Sequence, residues 1–338
     1  MNKLKLGVIG AGRVGQLHIE NIMAIPTIEL VGIADANIKL ISDKYPDINC
    51  YATAEELLAV ERIEAVCIFT STDTHEELCL SAARAKKHIF CEKPLSMDDA
   101  ELKNIEILKE IKSHGVKFQL GFNRRFDEQF SEIEAEARLH HFSDLQLVKI
   151  TSRDPDILPH ELIKRIGGLI FDFTMHDFDM ARFIMGKNVQ EVFVTGNTLI
   201  DPSLKEIDDI DTLVAILTFE DGSFGVIDNS RRAIYGYDQR VELFGSFGMI
   251  KAENVSGSSV EKYSNSCTSK KNPYSNFSKR YKNAYKLEIE AFSKCILENK
   301  PVLVGGIDAI MAQRIAIAAE QSLKSGKPIK VNTLVPEI

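Results

Sequence analysis

Three groups of residues in this chain have the types and spacing that chemistry requires. The first is Gly10-Ala11-Gly12-Arg13-Val14-Gly15, with the spacing G-x-G-x-x-G, directly after the apolar run of residues 4–9. Such a turn suits a pyrophosphate. Gly10 permits a tight turn, Gly12 lets the backbone approach the ligand, and Gly15 lets the next helix pack against the strand. The amides of Arg13 and Val14 then open a helix whose positive end faces the phosphates. A second apolar segment, residues 28–34, ends at Asp35. That is roughly the ~20-residue distance at which a carboxylate meets the adenosine ribose of a dinucleotide. A carboxylate there accepts hydrogen bonds from the 2'- and 3'-hydroxyls and repels a 2'-phosphate, so the expected cofactor is NAD rather than NADP. An ordinary strand-to-helix turn is the plain alternative, and the acid downstream argues against it.

The second group is Cys91-Glu92-Lys93-Pro94, at the end of another apolar segment. Open parallel sheets bind ligands beyond the carboxyl ends of their strands. Glu92 and Lys93 therefore fall where the redox end of the cofactor would arrive. A cis Lys93–Pro94 bond, which proline permits more readily than other residues, would aim the amine inward. A surface lysine before a helix-starting proline explains the same residues.

The third group follows Gly167-Gly168, where Asp172 and His176 lie four residues apart and Asp179 follows. On a regular helix these share a face. An imidazole oriented by a carboxylate transfers protons near neutral pH. Asp, His and Asp could also ligate zinc, but no cysteine or second histidine completes a tetrahedral set, and no metal is expected. Polar clusters at 123–127, 152–156 and 235–240 supply donors and acceptors that a polyhydroxylated ligand requires, as solvated loops also do.

These groups need a scaffold, and the hydrophobic pattern describes one. Apolar strands at 4–9, 30–34, 65–70, 88–91 and 117–120 alternate with helical segments at 14–23, 55–60, 76–85 and 100–113. Near-continuous apolar strands joined by helices imply a parallel sheet covered on both faces. The rhythm then changes. A helix at 126–139, a strand near 145–153 and a helix after Gly168 precede strands at 191–198, 212–219, 223–229, 240–244 and 249–253, with Asp221-Gly222 as a hairpin turn. The expected class is α/β: a doubly wound NAD-binding domain at 1–121, then an α+β domain at 122–338 with a large, mostly antiparallel open sheet. Residues 256–278, rich in Ser, Asn and Lys, read as an exposed loop, and two helices close the chain around 281–297 and 308–325.

The 338 residues are 44% hydrophobic and 27% charged, which is ordinary for a globular protein. With 41 basic against 49 acidic residues the net charge is −8, which disfavours nucleic acid as a partner. No stretch reaches the ~20 apolar residues that span a bilayer. Six cysteines without a C-x-x-C pair suit a reducing compartment, so a cytoplasmic location is expected.

Taken in order, these elements resemble the glucose–fructose oxidoreductase, inositol dehydrogenase and rhizopine-catabolism (Gfo/Idh/MocA) family over essentially the whole length. The family marks are the glycine turn, Glu92-Lys93-Pro94, and Gly167-Gly168 followed by Asp172 and His176. Through residues 121–127, 152–155 and 235–240 the chain is most similar to the inositol dehydrogenases. The resemblance implies a catalytic set of Lys93, Asp172 and His176 at the nicotinamide, with Lys93 and His176 able to exchange roles as proton acceptor. It implies Asp35 at the ribose and Ser71, Thr72 and His75 lining the cofactor groove. It implies contacts from Asn123, Arg124, Asp154, Asp156 and Tyr235 to substrate hydroxyls. It further implies a homotetramer packed through the C-terminal sheet and oxidation of a ring hydroxyl of myo-inositol to the ketone. Scyllo-inositol, another isomer or an aldose are the alternative substrates. A non-catalytic NAD-binding regulator is the alternative function, which the intact Lys93, Asp172 and His176 oppose. At Phe173 the chain departs from relatives that carry a small polar residue there, which leaves the exact polyol open.

Overall fold

Buried branched residues dictate the first sheet. In the computed structural model, which describes residues 3–96, 101–140 and 142–338, six short strands are mostly apolar and buried. They are β1 (Leu4–Ile9), β2 (Ile28–Ala34), β3 (Asn49–Tyr51), β4 (Ala65–Ile68), β5 (His88–Glu92) and β6 (Phe118–Gly121). The connections carry α1 (Arg13–Met23), α2 (Ile38–Lys44), α3 (Ala54–Leu58), α4 (His75–Arg84) and α5 (Glu101–Ser113). Ala100, where α5 was expected to begin, lies outside the described residues. The strand order is β3-β2-β1-β4-β5-β6 and every pair is parallel. The order reverses between β1 and β4, the switch point at which such sheets take ligands.

Chain contacts divide the molecule into two compact units, Met1–Phe126 with Asn283–Ile310 and Val335–Ile338, and Asp127–Lys282 with Met311–Leu334. A single cut at 121/122 therefore misses the return of the chain to the first unit. The physical reason is burial. Ile289 and Phe292, late in sequence, lie in one core cluster with Leu6, Val8, Ile19 and Phe90. The Leu120 amide also donates to the Val304 carbonyl at 3.2 Å.

The second unit begins with α6 (Glu128–Leu139), whose N-cap Asp127 accepts from the Phe130 amide and pairs with the Arg280 guanidinium. Then come β7 (Leu145–Arg153), α7 (His160–Ile166), one π turn (Leu169–Thr174) and α8 (Met175–Met185). Strands β8 (Val189–Asn197), β9 (Thr212–Phe219), β10 (Phe224–Ser230), β11 (Asp238–Gly245) and β12 (Gly248–Ala252) follow. The sheet order is β12-β11-β7-β10-β9-β8 with Ile329–Lys330 at the edge. All pairs are antiparallel except β10 with β7.

Alternation divides this sheet into a buried face and an open one. Leu213, Ala215 and Leu217 are buried, whereas Val214 and Ile216 between them are exposed. Cross-strand register places Phe224, Phe244 and Met249 on that same open face. Residues 256–278, expected as a loop, contain a short exposed hairpin, Glu261–Tyr263 against Thr268–Lys270. The remaining helices are Phe277–Arg280, Lys282–Leu297 and Gly306–Ser325, here α9, α10 and α11. No helix among the described residues is long and apolar enough to cross a membrane.

If α10 belongs to the first core, Phe292→Ala removes a fully buried ring and lowers unfolding free energy by about 3–5 kcal/mol. Urea denaturation measures this. A loss within the range of surface substitutions, about 0.5 kcal/mol, would place the helix elsewhere.

Candidate active site

The residues expected at the cofactor include a preshaped glycine turn. Gly10 has φ +91°, and a Cβ there would meet Thr70 and the Phe69 backbone at 2.8–2.9 Å. A Cβ on Gly15 would lie 2.2 Å from the Gly10 carbonyl oxygen, so only glycine lets α1 begin this close to β1. At Gly12, by contrast, an added Cβ meets nothing within 4 Å. That open space is where a phosphate would approach. Gly12 is the N-cap of α1 and offers no side chain to the first-turn amides, and no acidic residue stands in that turn. Those N–H groups therefore stay available to an anion. Arg13 is exposed beside them and Val14 half-buried.

Asp35 ends β2 as expected, and its carboxylate also braces the turn. One oxygen accepts from the Ala11 amide at 2.7 Å and the other from the Asn37 amide at 2.8 Å. A carboxylate has about four lone-pair sites, which leaves acceptor capacity for two ribose hydroxyls. These residues fit NAD.

Next along the switch point, Ser71 is exposed and Thr72 half-buried in a single 3-10 turn. His75, expected at the groove, is 1% exposed. Its ring bridges two carbonyls, with Nδ1 2.8 Å from Pro94 O and Nε2 3.2 Å from Thr70 O. It thus ties the end of β4 to the Lys93–Pro94 turn, whose peptide is cis. Glu92 closes β5 with its side chain 16% exposed. After β6, Asn123 and Arg124 are buried in a 3-10 turn. The Asn123 side-chain nitrogen makes no hydrogen bond, so it is an unspent donor. Arg125 of the same cluster is structural: it pairs with Asp308 at 2.8 Å.

In the second unit, Gly167 and Gly168 both have positive φ, 90° and 70°. A side chain at Gly168 would collide with the Asp209 carboxylate, which accepts from the Leu169 amide at 3.0 Å. Asp209 therefore caps the segment that carries Asp172. That segment is not the regular helix the spacing suggests. Asp172 and Phe173 lie in the π turn, Phe173 buried, and His176 in the first turn of α8. The wider turn carries Asp172, and the regular helix resumes at Met175, one residue before His176. Asp172 and His176 are both half-buried, and Asp179 is fully buried.

Between Asp172 and His176 the chain is pinned from below. Thr174 donates to Asn229 Oδ1 at 2.7 Å, and Asn229 Nδ2 donates to the buried Asp177 at 2.7 Å. The Ser152 hydroxyl donates to the other Asp177 oxygen at 2.6 Å. This network fastens α8 to β7 and β10. Asp177 was not singled out from sequence, yet a charged residue between Met175, Phe178 and Met180 is itself a signal that a buried partner exists.

The other expected contacts are spread out. Asp154, just past β7, is held at both ends of its backbone: its amide donates to Ser230 O at 2.9 Å, and its carbonyl accepts from Ala233 at 2.7 Å. Asp156 is exposed. The Tyr235 hydroxyl donates to Asp238 at 2.5 Å and accepts from Arg153 at 3.3 Å, so it belongs to a cluster with Arg153, Asp228 and Asp238. Burial alone would raise the Asp238 carboxyl, but hydrogen bonds from Arg240, Tyr235 and Asn254 hold it below the usual range.

Sequence comparison agrees with this architecture. Residues 4–122 match the oxidoreductase family's NAD-binding Rossmann fold, and residues 163–331 match its C-terminal alpha/beta domain, the Gfo/Idh/MocA pair. The chain belongs to this family. It is an NAD-dependent dehydrogenase acting on a CH–OH group. It is 43% identical to the uncharacterized oxidoreductase YrbE of Bacillus subtilis, with 96% of each chain covered. It is 38% identical to the myo-inositol 2-dehydrogenase of Thermotoga maritima over 98% of this chain and all of that one. A crystal structure of scyllo-inositol dehydrogenase from Lactobacillus casei, with NAD(H) and scyllo-inositol bound, superposes with a TM-score of 0.89 at 25% identity, covering 97% of this chain and 99% of that one.

The open space at Gly12 gives a clean test of the glycine turn. Gly12→Ala leaves the melting temperature of the free protein unchanged but weakens NAD binding by about tenfold or more, each decade being 1.4 kcal/mol. Titration calorimetry would show it, and unchanged affinity would place the phosphates elsewhere.

Proposed function

We propose that this protein oxidises one ring hydroxyl of myo-inositol to the ketone, giving 2-keto-myo-inositol. The observation that carries the reading is full-length similarity to a myo-inositol 2-dehydrogenase in a chain that retains Lys93, Asp172 and His176. When bound, NAD supplies the acceptor for the hydride that leaves the carbinol carbon. His176 takes the hydroxyl proton. Asp172 orients the imidazole and stabilises its charged form. Lys93 donates a hydrogen bond to the same oxygen and stabilises developing alkoxide charge. Asp35 binds the adenosine ribose, with Glu92, Ser71, Thr72 and His75 around the cofactor. Asn123, Arg124, Asp154, Asp156 and Tyr235 recognise the remaining hydroxyls. Asn123, with its unspent buried donor, is the best supported of these.

A second reading, scyllo-inositol as substrate, is favoured by the likeness to the scyllo-inositol enzyme. The higher identity of the myo-inositol relative ranks it below the first.

The open face of the second sheet supports assembly. Val214, Ile216, Phe224, Phe244 and Met249 are each at least 40% exposed on one surface. Such an apolar patch marks an interaction site, and a second copy covering it through a homotetramer fits the reading. All six cysteines are free thiols, which suits the reducing cytoplasm.

His176→Ala should lower kcat by about 10²–10⁴-fold, the range of general acid–base assistance, while NAD affinity stays near wild type. Near-normal turnover would remove His176 from the mechanism. In a panel read by NADH absorbance, kcat/KM is highest for myo-inositol; a maximum for scyllo-inositol would establish the second reading. Light scattering should give a tetramer for the wild type and smaller species for Ile216→Asp, whereas a monomeric wild type would contradict the assembly.

A further inference from the structure

At the Glu92-Lys93-Pro94 turn lies a cluster of ionisable side chains, two of which, His18 and Glu288, have no part in the proposed chemistry. His18 on α1, Glu92 at the end of β5 and Glu288 on α10 converge from three elements far apart in sequence. Their nearest side-chain nitrogen and oxygen atoms all lie within 4.8 Å of one another. His18 Nε2 is 2.8 Å from Glu92 Oε1 and 3.9 Å from Glu288 Oε1. The imidazole stacks on the Phe69 ring, with centroids 4.1 Å apart and planes within 3°, and meets the Tyr285 ring edge-on at 5.2 Å. His18 and Glu288 are fully buried. Gly121 makes room for Glu92, since a Cβ there would lie 2.9 Å from Glu92 Oε2.

Two features of this cluster define its protonation. His18 Nδ1 is buried without a hydrogen-bond partner, and so are both Glu288 oxygens. A buried orphan N–H is rarer than a buried orphan acceptor, so the ring proton sits on Nε2 and is donated to the Glu92 carboxylate. An ionised carboxylate with no donor, fully buried, would cost far more than protonation. Glu288 is therefore the neutral acid, and burial followed by the charge of Glu92 pushes its carboxyl well up. The nearby thiols of Cys67 and Cys91 are pushed up, chiefly by burial, and add no positive charge.

We propose that His18 is a positioning residue for Lys93. By donating to Glu92, it ties the helix that receives the cofactor phosphates to the strand end from which the lysine projects, while Glu288 stands behind as a neutral carboxylic acid. Glu92 and Lys93 are consecutive, so fixing the first restricts the second. This inference rests on the reading that Lys93 meets the substrate. Its second half, the neutral Glu288, can be tested apart from that reading.

His18→Leu keeps the bulk and removes the donor, whereas His18→Gln restores an N–H. With inositol as substrate, His18→Leu should lower kcat on the order of 10²-fold, the cost of misplacing a reacting group by about 1 Å. NAD affinity, measured by calorimetry, stays close to wild type. His18→Gln should recover most of the loss. Equal losses in Leu and Gln variants of matched melting temperature would reduce His18 to a packing role and overturn the proposal. A wild type that oxidises no polyol would defeat the substrate reading instead. The second half needs no turnover. Infrared difference spectra between wild type and Glu288→Gln at neutral pH should show the carbonyl stretch of a protonated acid, with melting temperature unchanged. A carboxylate signature, or a marked loss of stability in Glu288→Gln, would show an ionised Glu288 and overturn it.

Discussion

The clearance between Gly15 and the Gly10 carbonyl governs the first unit. Because no side chain separates them, α1 begins against the carboxyl end of β1, its uncapped amides at the switch point of the sheet. One helical turn of about 3.6 residues later, His18 reaches the rings of Phe69 and Phe90 and the carboxylate of Glu92. The same glycine thus shapes the turn proposed for the phosphates and sets how the end of β5 is held. Asp35 closes the arrangement by accepting from Ala11 within the turn. A bulkier residue at position 15 would disturb all three at once.

The second unit solves a different problem. It carries Asp172 and His176 in a segment rich in buried apolar residues. Two positive-φ glycines start the segment, Asp209 caps it, and a π turn gives way to α8. The buried Asp177–Asn229–Thr174 network then fixes the segment to the sheet. Each polar atom there has a short partner, which is the condition under which buried polar groups give rigidity rather than instability. The opposite face of that sheet is left open, with Val214, Ile216, Phe224, Phe244 and Met249 exposed beside the Lys149–Glu242 pair.

Much of this was legible in the residues. The glycine spacing, the acid ending β2 and the lysine ending β5 each sit where a parallel sheet would use them, because local backbone demands determine those positions. The return of residues 283–310 to the first unit was not legible. An amphipathic helix such as α10 carries no mark of which core receives it. The π turn was hidden for a related reason: residues 169–174 read as ordinary helix, and nothing in their spacing marks the wider turn. His18 and Glu288 were missed because a lone histidine and a lone glutamate acquire meaning only when the fold brings them together. Tyr235 was legible only as a polar group in a loop; the fold adds that Asp238 and Arg153 orient its hydroxyl.

The central claim is that an amine and an imidazole act on one alcohol. A crystal structure of the enzyme with NADH and myo-inositol bound tests it most directly. The account predicts Lys93 Nζ and His176 Nε2 both at hydrogen-bond distance, about 3 Å, from the same inositol oxygen, with the carbon bearing it against the nicotinamide ring. If the two groups meet different hydroxyls, or either meets none, the account is wrong.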